Sequence, residues 1–225
     1  MDADEPFLLT DEAITQTAQA WRNDHAGNPH RFLIGIAGIA GSGKSTLAER
    51  LVDEVNRLQP GAAAFIPMDG FHLRNAELIA QGWKPRKGAA FTYDSEAYVE
   101  LLQRYRTRDS VGGYPVYCRI AHEPIPAEDE VTAQTQIIVT EGQYLLCPDL
   151  PWARLNDVLD ECWWLDLAPE TARGWLMKRD LAVGRSPEEA EAKYQRNDRL
   201  NTEMVLSARR TPDRVVRWPS VDEGD

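Results

Sequence analysis

One stretch of this chain leaves little freedom in how it can fold. Phe32-Leu33-Ile34-Gly35-Ile36-Ala37 is a short unbroken apolar run, the pattern of a strand buried on both faces. It passes directly into Gly38-Ile39-Ala40-Gly41-Ser42-Gly43-Lys44-Ser45, after which Leu47, Leu51, Val55 and Leu58 recur at helical spacing. The glycine-rich segment has the GxxxxGK[ST] spacing, in the strand-before, helix-after setting its chemistry requires. Gly38, Gly41 and Gly43 let the backbone curl round an anion without Cβ clashes. The N–H groups from Ser42 to Thr46, and the positive end of the helix, then face that anion. Lys44 can reach the β and γ phosphates of a nucleoside triphosphate, and the Ser45 hydroxyl can join a magnesium shell.

The same alternation continues along the chain. Apolar runs at Ala62–Met68, Ile137–Thr140, Cys162–Leu167 and Arg214–Trp218 are separated by helical patterns, which implies a parallel sheet between helix layers, a single three-layer α/β/α domain over residues 1–225. A leading helix is expected within residues 1–29, with Thr10 as its cap and Gly27 and Pro29 ending it. Ser95 opens another helix, and Pro169 starts one that ends at Gly184. Ser186-Pro187-Glu188-Glu189 combines a capping box with proline at the first helical position. Residues 82–126 break the rhythm, being rich in Gly, Pro, aromatic and basic residues, and read as an insertion of substrate loops. Residues 219–225 read as a short acidic tail that frays.

Composition narrows the partners. A net charge of −11 repels nucleic acid and anionic membranes unless a local basic patch overrides it, and no long one occurs. Met1–Thr10 is acidic, unlike a secretory leader, and no uncharged stretch reaches the roughly 18 residues of a spanning helix. Cys118, Cys147 and Cys162 are widely spaced, which suits a reducing compartment, so the expected location is cytoplasmic. A homodimer is left open.

A phosphate-binding loop does not say what becomes of the γ-phosphate. The Asn-Lys-x-Asp guanine reader of a GTPase does not occur, and Asp109-Ser110-Val111-Gly112 matches the loose DxxG pattern without a strand leading into it. Two acids do sit at the C-terminal ends of expected strands, where open α/β sheets bind ligands: Asp69 and Glu141. Transfer to an alcohol needs a carboxylate beside the attacking hydroxyl and acidic support for the metal. Asp69 suits the first role and Glu141 the second. Arg173, Lys178, Arg179 and Arg185 cluster at the break between two helices, where a closing segment could bring positive charge to the transferring phosphoryl, Arg179 and Arg185 being the leading candidates. His72, Arg86, Lys87, Tyr117, Arg119 and His122 offer donors for a polyhydroxylated or anionic small acceptor. Asn197, Asp198 and Asn201, unusual within a helical run, read as a solvated face in the first place and otherwise as facing the nucleotide or acceptor cleft.

These residues resemble the P-loop kinases that include uridine kinase, phosphoribulokinase and type I pantothenate kinase. The resemblance rests on Gly38–Ser45, Pro67-Met68-Asp69-Gly70-Phe71-His72, Arg86-Lys87-Gly88 with Tyr93-Asp94, Pro115-Val116-Tyr117 and Glu141-Gly142-Gln143-Tyr144-Leu145-Leu146. It is nearest the nucleoside/nucleotide kinase-like subgroup, also labelled fructose transport system kinase. It implies a five-stranded parallel sheet, a helical lid over about 173–200, ATP with magnesium as co-substrate, and a small-molecule acceptor such as a fructose-like sugar or a nucleoside. It places the hydroxyl-orienting acid on Asp69 and the metal-supporting acid on Glu141. A pantothenate-type kinase, and a regulator that hydrolyses ATP slowly, are the alternatives.

Overall fold

The structure, a computed structural model, describes residues 6–218, apart from the side chains of 127–129; the tail expected at 219–225 lies outside the described residues. The chain enters through a two-residue strand, β1 (Phe7–Leu8), and helix α1 (Asp11–Asp24), whose cap Thr10 accepts from the Ala13 N–H at 3.2 Å. Strand β2 (Phe32–Ala37), helix α2 (Lys44–Leu58) and strand β3 (Ala63–Pro67) follow. A 3₁₀ turn at Met68–Phe71 leads to α3 (Asn75–Ala80) and α4 (Ser95–Tyr105), the latter capped by Asp94, which accepts from the Ala97 N–H at 3.1 Å. Then come strands β4 (Gly112–Cys118), β5 (Glu123–Val131) and β6 (Ile137–Gly142), helix α5 (Leu155–Val158), strand β7 (Glu161–Leu165) and helix α6 (Pro169–Ala182). Helix α7 (Pro187–Lys193), a π-helical stretch (Tyr194–Asp198) and α8 (Arg199–Ala208) run on without a break before strand β8 (Arg214–Arg217).

Six parallel strands form the main sheet, in the order β1-β8-β7-β2-β6-β3. Helices cover both faces. Ile34 and Ile36 of β2 pack with α1 and α2 through Ile14, Trp21, Leu47 and Leu51, while Leu33, the residue before Ile34, and Ala37, the one after Ile36, belong to the opposite face with Tyr98, Leu102 and Val205 of α4 and α8. That alternation is the period-2 side-chain geometry of a strand buried on both faces.

Two expectations are corrected. The sheet has six strands rather than five; the extra one, β1, adds Phe7 and Leu8 beside Val216 and Arg217 of β8. Two half-exposed residues leave no apolar run to read. And residues 112–126 are not irregular: β4 and β5 form an antiparallel ribbon with a bulge between Gly113 and Pro115. Pro115 pairs with Pro126, and a free two-stranded ribbon tolerates prolines because both strands are edges.

Candidate active site

Sheet register brings the chemistry together. Glu141 pairs with Ile36 of β2 on one side and Pro67 of β3 on the other. The phosphate loop leaves β2 one residue after Ala37, and Asp69 lies two residues past Pro67, so the loop, Glu141 and Asp69 emerge side by side at the carboxyl ends of three adjacent strands.

In the loop, Gly41 and Gly43 hold positive φ of 79° and 89°, and a Cβ on Gly41 would strike Leu176 and the Ala172 carbonyl of α6, so that helix lies directly on the loop. Helix α2 starts without a side-chain cap or an acid in its first turn, unlike α1, α4 and α7. Its first N–H groups are left for an anion. The Ser42 hydroxyl is buried without a hydrogen-bond partner. Thr46 is exposed on the first turn. These are the features of a cradle whose guest is a phosphate chain, and the residues present fit one.

Lys44 is buried and its Nζ donates to the Ile39 carbonyl at 2.9 Å. Burial pulls its pKa down, Glu141 and Asp69 push it back up, and Arg179 lowers it further. The Ser45 hydroxyl donates to Glu141 Oε1 at 3.1 Å. Glu141 is itself buried, which pushes its pKa up to about 7 against the attraction of Lys44. An opposed pair so desolvated is held in place for a charge that arrives with the ligand.

Asp69 stands on the 3₁₀ turn with its side chain 42% exposed. The Tyr93 hydroxyl donates to Asp69 Oδ1 at 3.2 Å. His72 Nδ1 lies 2.9 Å from the Asp69 carbonyl oxygen, which can only accept, so Nδ1 carries the proton. Burial lowers the His72 pKa, which leaves the ring neutral between Tyr93 and Tyr117, with centroids at 4.1 and 4.8 Å. Sequence reasoning used Tyr93 only as part of a motif; its contact with Asp69 across 24 residues has no local signal.

The structure also separates residues that the sequence grouped. Lys87 Nζ donates to Asn75 Oδ1 at 2.9 Å and to the His122 carbonyl at 2.6 Å, and lies 5.1 Å from the Tyr117 ring centre. His122 thus contributes its carbonyl, from a positive-φ turn at the ribbon tip. Arg119, exposed on the same turn, is felt electrostatically at Glu141 and Tyr117. Arg86 is gripped by Asn197 Oδ1 and Asn201 Oδ1, each at 3.2 Å. Of the basic residues on and after α6, Arg173 pairs with Glu191 at 2.7 Å and Arg185 with buried Asp180 at 2.7 Å. Asp180 also takes Lys193 at 2.8 Å. Arg179, exposed on α6, is the cation of this group whose field reaches Lys44.

Parallel order, glycine loop and converging acids define a P-loop phosphotransferase. The chain belongs to the phosphoribulokinase/uridine kinase family, whose model matches residues 33–200, and it is a kinase that binds ATP and a small-molecule substrate. Protein YggC of Escherichia coli K12, which has no assigned activity, is 33% identical over 84% of this chain and 79% of its own. A pantothenate kinase of Streptomyces coelicolor is 27% identical over 90% of this chain, which spans 63% of that relative. A crystal structure from Silicibacter sp. TM1040, provisionally named a fructose transport system kinase, superposes with a TM-score of 0.81 at 31% identity, covering 92% of this chain and 98% of that one. No helix among the described residues is long and apolar enough to cross a membrane.

Proposed function

We propose that this kinase transfers the γ-phosphoryl group of ATP to a hydroxyl of a small polyhydroxylated metabolite of the sugar or nucleoside kind. The observation that carries the reading is the convergence of Ser45–Glu141, Lys44 and Asp69 at the carboxyl ends of adjacent strands, with Asp69 the half-open member. The phosphates would lie along Gly38–Ser45, with Lys44 at the β and γ groups. Ser45 and Glu141 would support a magnesium ion, which when bound neutralises charge on the phosphate oxygens. One hydroxyl and one carboxylate suit an ion that arrives on the nucleotide.

Asp69 accepts the proton, or the hydrogen bond, of the attacking alcohol. Tyr93 holds the Asp69 carboxylate and His72 holds the backbone of its turn, so the carboxylate is presented at little reorganisation cost. Arg179 would meet charge that develops on the transferring group, whereas Arg185 is committed to Asp180 and would act by holding the α6–α7 corner. The 27% identity to a pantothenate kinase supports a second reading, in which the alcohol is pantothenate-like.

The test is ADP release with Mg-ATP across sugars, nucleosides and pantothenate, in wild type and Asp69→Asn. Acceptor-dependent turnover should fall by about 10²- to 10⁴-fold in the variant. Turnover indifferent to every alcohol and to the substitution would remove Asp69 from the chemistry.

A further inference from the structure

Two opposite charges at the end of α6 lack the partners that their positions call for. Asp198, on the π-helical stretch, is 8% exposed, and its Oδ2 is buried with no hydrogen-bond donor. Lys193 Nζ stands 3.5 Å from that oxygen, an ion-pair distance longer than a charge-assisted hydrogen bond. The same nitrogen already donates to both oxygens of Asp180, at 3.1 and 2.8 Å. Arg179 is exposed on α6 and, among the described residues, makes no ion pair or hydrogen bond. A buried carboxylate oxygen without a donor is costly, and a guanidinium has five N–H donors to offer.

Helix geometry brings the two towards each other and towards the phosphate loop. A Cβ on Gly41 would strike Leu176, so the face of α6 that carries Leu176 lies on the loop. Arg179 follows three residues later, one turn along that face. Asp180, next to Arg179 in sequence, shares Lys193 with Asp198, which sets the Asp198 carboxylate against the same end of α6. The fields agree with this placement, since Arg179 acts electrostatically on Lys44 in the loop and on Asp198. Asn197, the preceding residue of the π-helical stretch, turns instead to the Lys87 carbonyl, so neighbouring side chains of this widened turn serve two different elements.

We propose that Asp198 is a positioning residue for Arg179: with the triphosphate bound, Arg179 sets one edge of its guanidinium on Asp198 Oδ2 and presents the other to the γ-phosphate. The proposal rests on the role given to Arg179 above and names the group that holds it there. The γ-phosphate draws the exposed arginine inward, and the buried carboxylate fixes its direction. A planar fork makes both contacts at once and in a set geometry, which a single ammonium does not. Asp198 therefore acts through Arg179 and not on the phosphate, whose charge has the same sign as its own.

Calorimetry with Mg-ADP and the non-hydrolysable Mg-AMPPNP measures how strongly the site prefers a γ-phosphate, in wild type, Arg179→Gln, Asp198→Asn and the double variant. Arg179→Gln should cut that preference about tenfold and Asp198→Asn about three- to tenfold, with the affinity for Mg-ADP nearly unchanged. The double variant should lose no more than Arg179→Gln alone, because the two residues act as a unit. Asp198→Glu should restore part of the preference. A carboxylate that only braced the fold would weaken both nucleotides alike. Asp198→Ser is measured alongside, so that misfolding of one variant leaves the other to decide. Equal loss of both nucleotides, a preference untouched in the Asp198 variants, or losses that multiply in the double variant would overturn the proposal. The same proteins are assayed for ADP release over the alcohol panel. A preference that responds as expected, with no alcohol turned over by wild type, keeps the Arg179–Asp198 pair and removes the kinase role. Wild-type turnover beside a preference indifferent to Asp198 keeps the kinase and removes the pair.

Discussion

Glu141 shows how a single residue can link the site to the stability of the fold. Its position was readable because an acid ending an apolar run stands out; its burial was not, since that depends on pairing with both β2 and β3. In the nucleotide-free protein burial raises its pKa from 4.5 to about 7. Between those values the unfolded chain has lost the proton while the folded chain keeps it. The folded state therefore binds more protons, and stability falls as pH rises through this window. The contribution is fully present below 4.5 and gone above about 7. The full shift corresponds to at most about 3 kcal/mol, at 1.36 kcal/mol per pKa unit. Lys44, whose pKa the same burial lowers, acts in the opposite sense at higher pH. Urea unfolding of nucleotide-free protein at about pH 5 and about pH 7.5 should show this decline in wild type and not in Glu141→Gln, which cannot titrate. An equal decline in both would place the titrating group elsewhere.

Among the elements, the π-helical stretch and α8 do more than continue α7. Asn197 Nδ2 donates to the Lys87 carbonyl at 2.7 Å, and Asn201 Nδ2 donates to the Gly88 carbonyl at 3.2 Å. The Gly88 carbonyl also accepts from Gln143 and Tyr144, which follow Glu141, at 2.9 and 2.8 Å. The Arg86-Lys87-Gly88 loop is thus tied on one side to the segment that follows Glu141 and on the other to the π-helical stretch and α8. Both asparagines are buried, which corrects the solvated face expected from the sequence. Three residues of low helix propensity in one run were the available hint, but their partners lie more than 100 residues away. The Asn197→Ala, Asn201→Ala double variant should speed amide exchange over residues 84–92 and raise the acceptor KM by about tenfold, a loss of roughly 1.4 kcal/mol, with a smaller change for ATP. Unchanged protection of that segment would show that Gln143 and Tyr144 hold it alone.

Over the whole molecule, five strands were legible because each is an apolar run, and the two carboxyl-end acids because they terminate such runs. What closes the opposite end of the sheet was not legible. Arg31, beside the first residue of β2, is 1% exposed and, among the described residues, has no carboxylate at ion-pair distance. Its guanidinium donates to five carbonyls: Thr135 at 3.0 Å, Tyr105 at 2.8 Å, Arg108 at 3.0 Å, Thr132 at 2.9 Å and Thr107. These belong to the end of α4, the approach to the ribbon and the link from β5 to β6. The root of the β4–β5 ribbon and the starts of β2 and β6 therefore meet at one side chain. In sequence it is an ordinary basic residue flanking a strand, because the contacts that define it span 74 to 104 positions. The planar fork has five N–H donors, and all are used. Lysine offers three from a single point and leaves carbonyls unpaired in a dry pocket, so charge alone does not rescue the site. Arg31→Met and Arg31→Lys should each lose more than about 3 kcal/mol in denaturant unfolding, since hydrogen bonds to a charged donor contribute about 1.5–3 kcal/mol each and buried acceptors are costly to strand. A loss below about 1 kcal/mol in the lysine variant would mean that water enters and satisfies the carbonyls, making Arg31 a filler of space rather than the tie between sheet and ribbon.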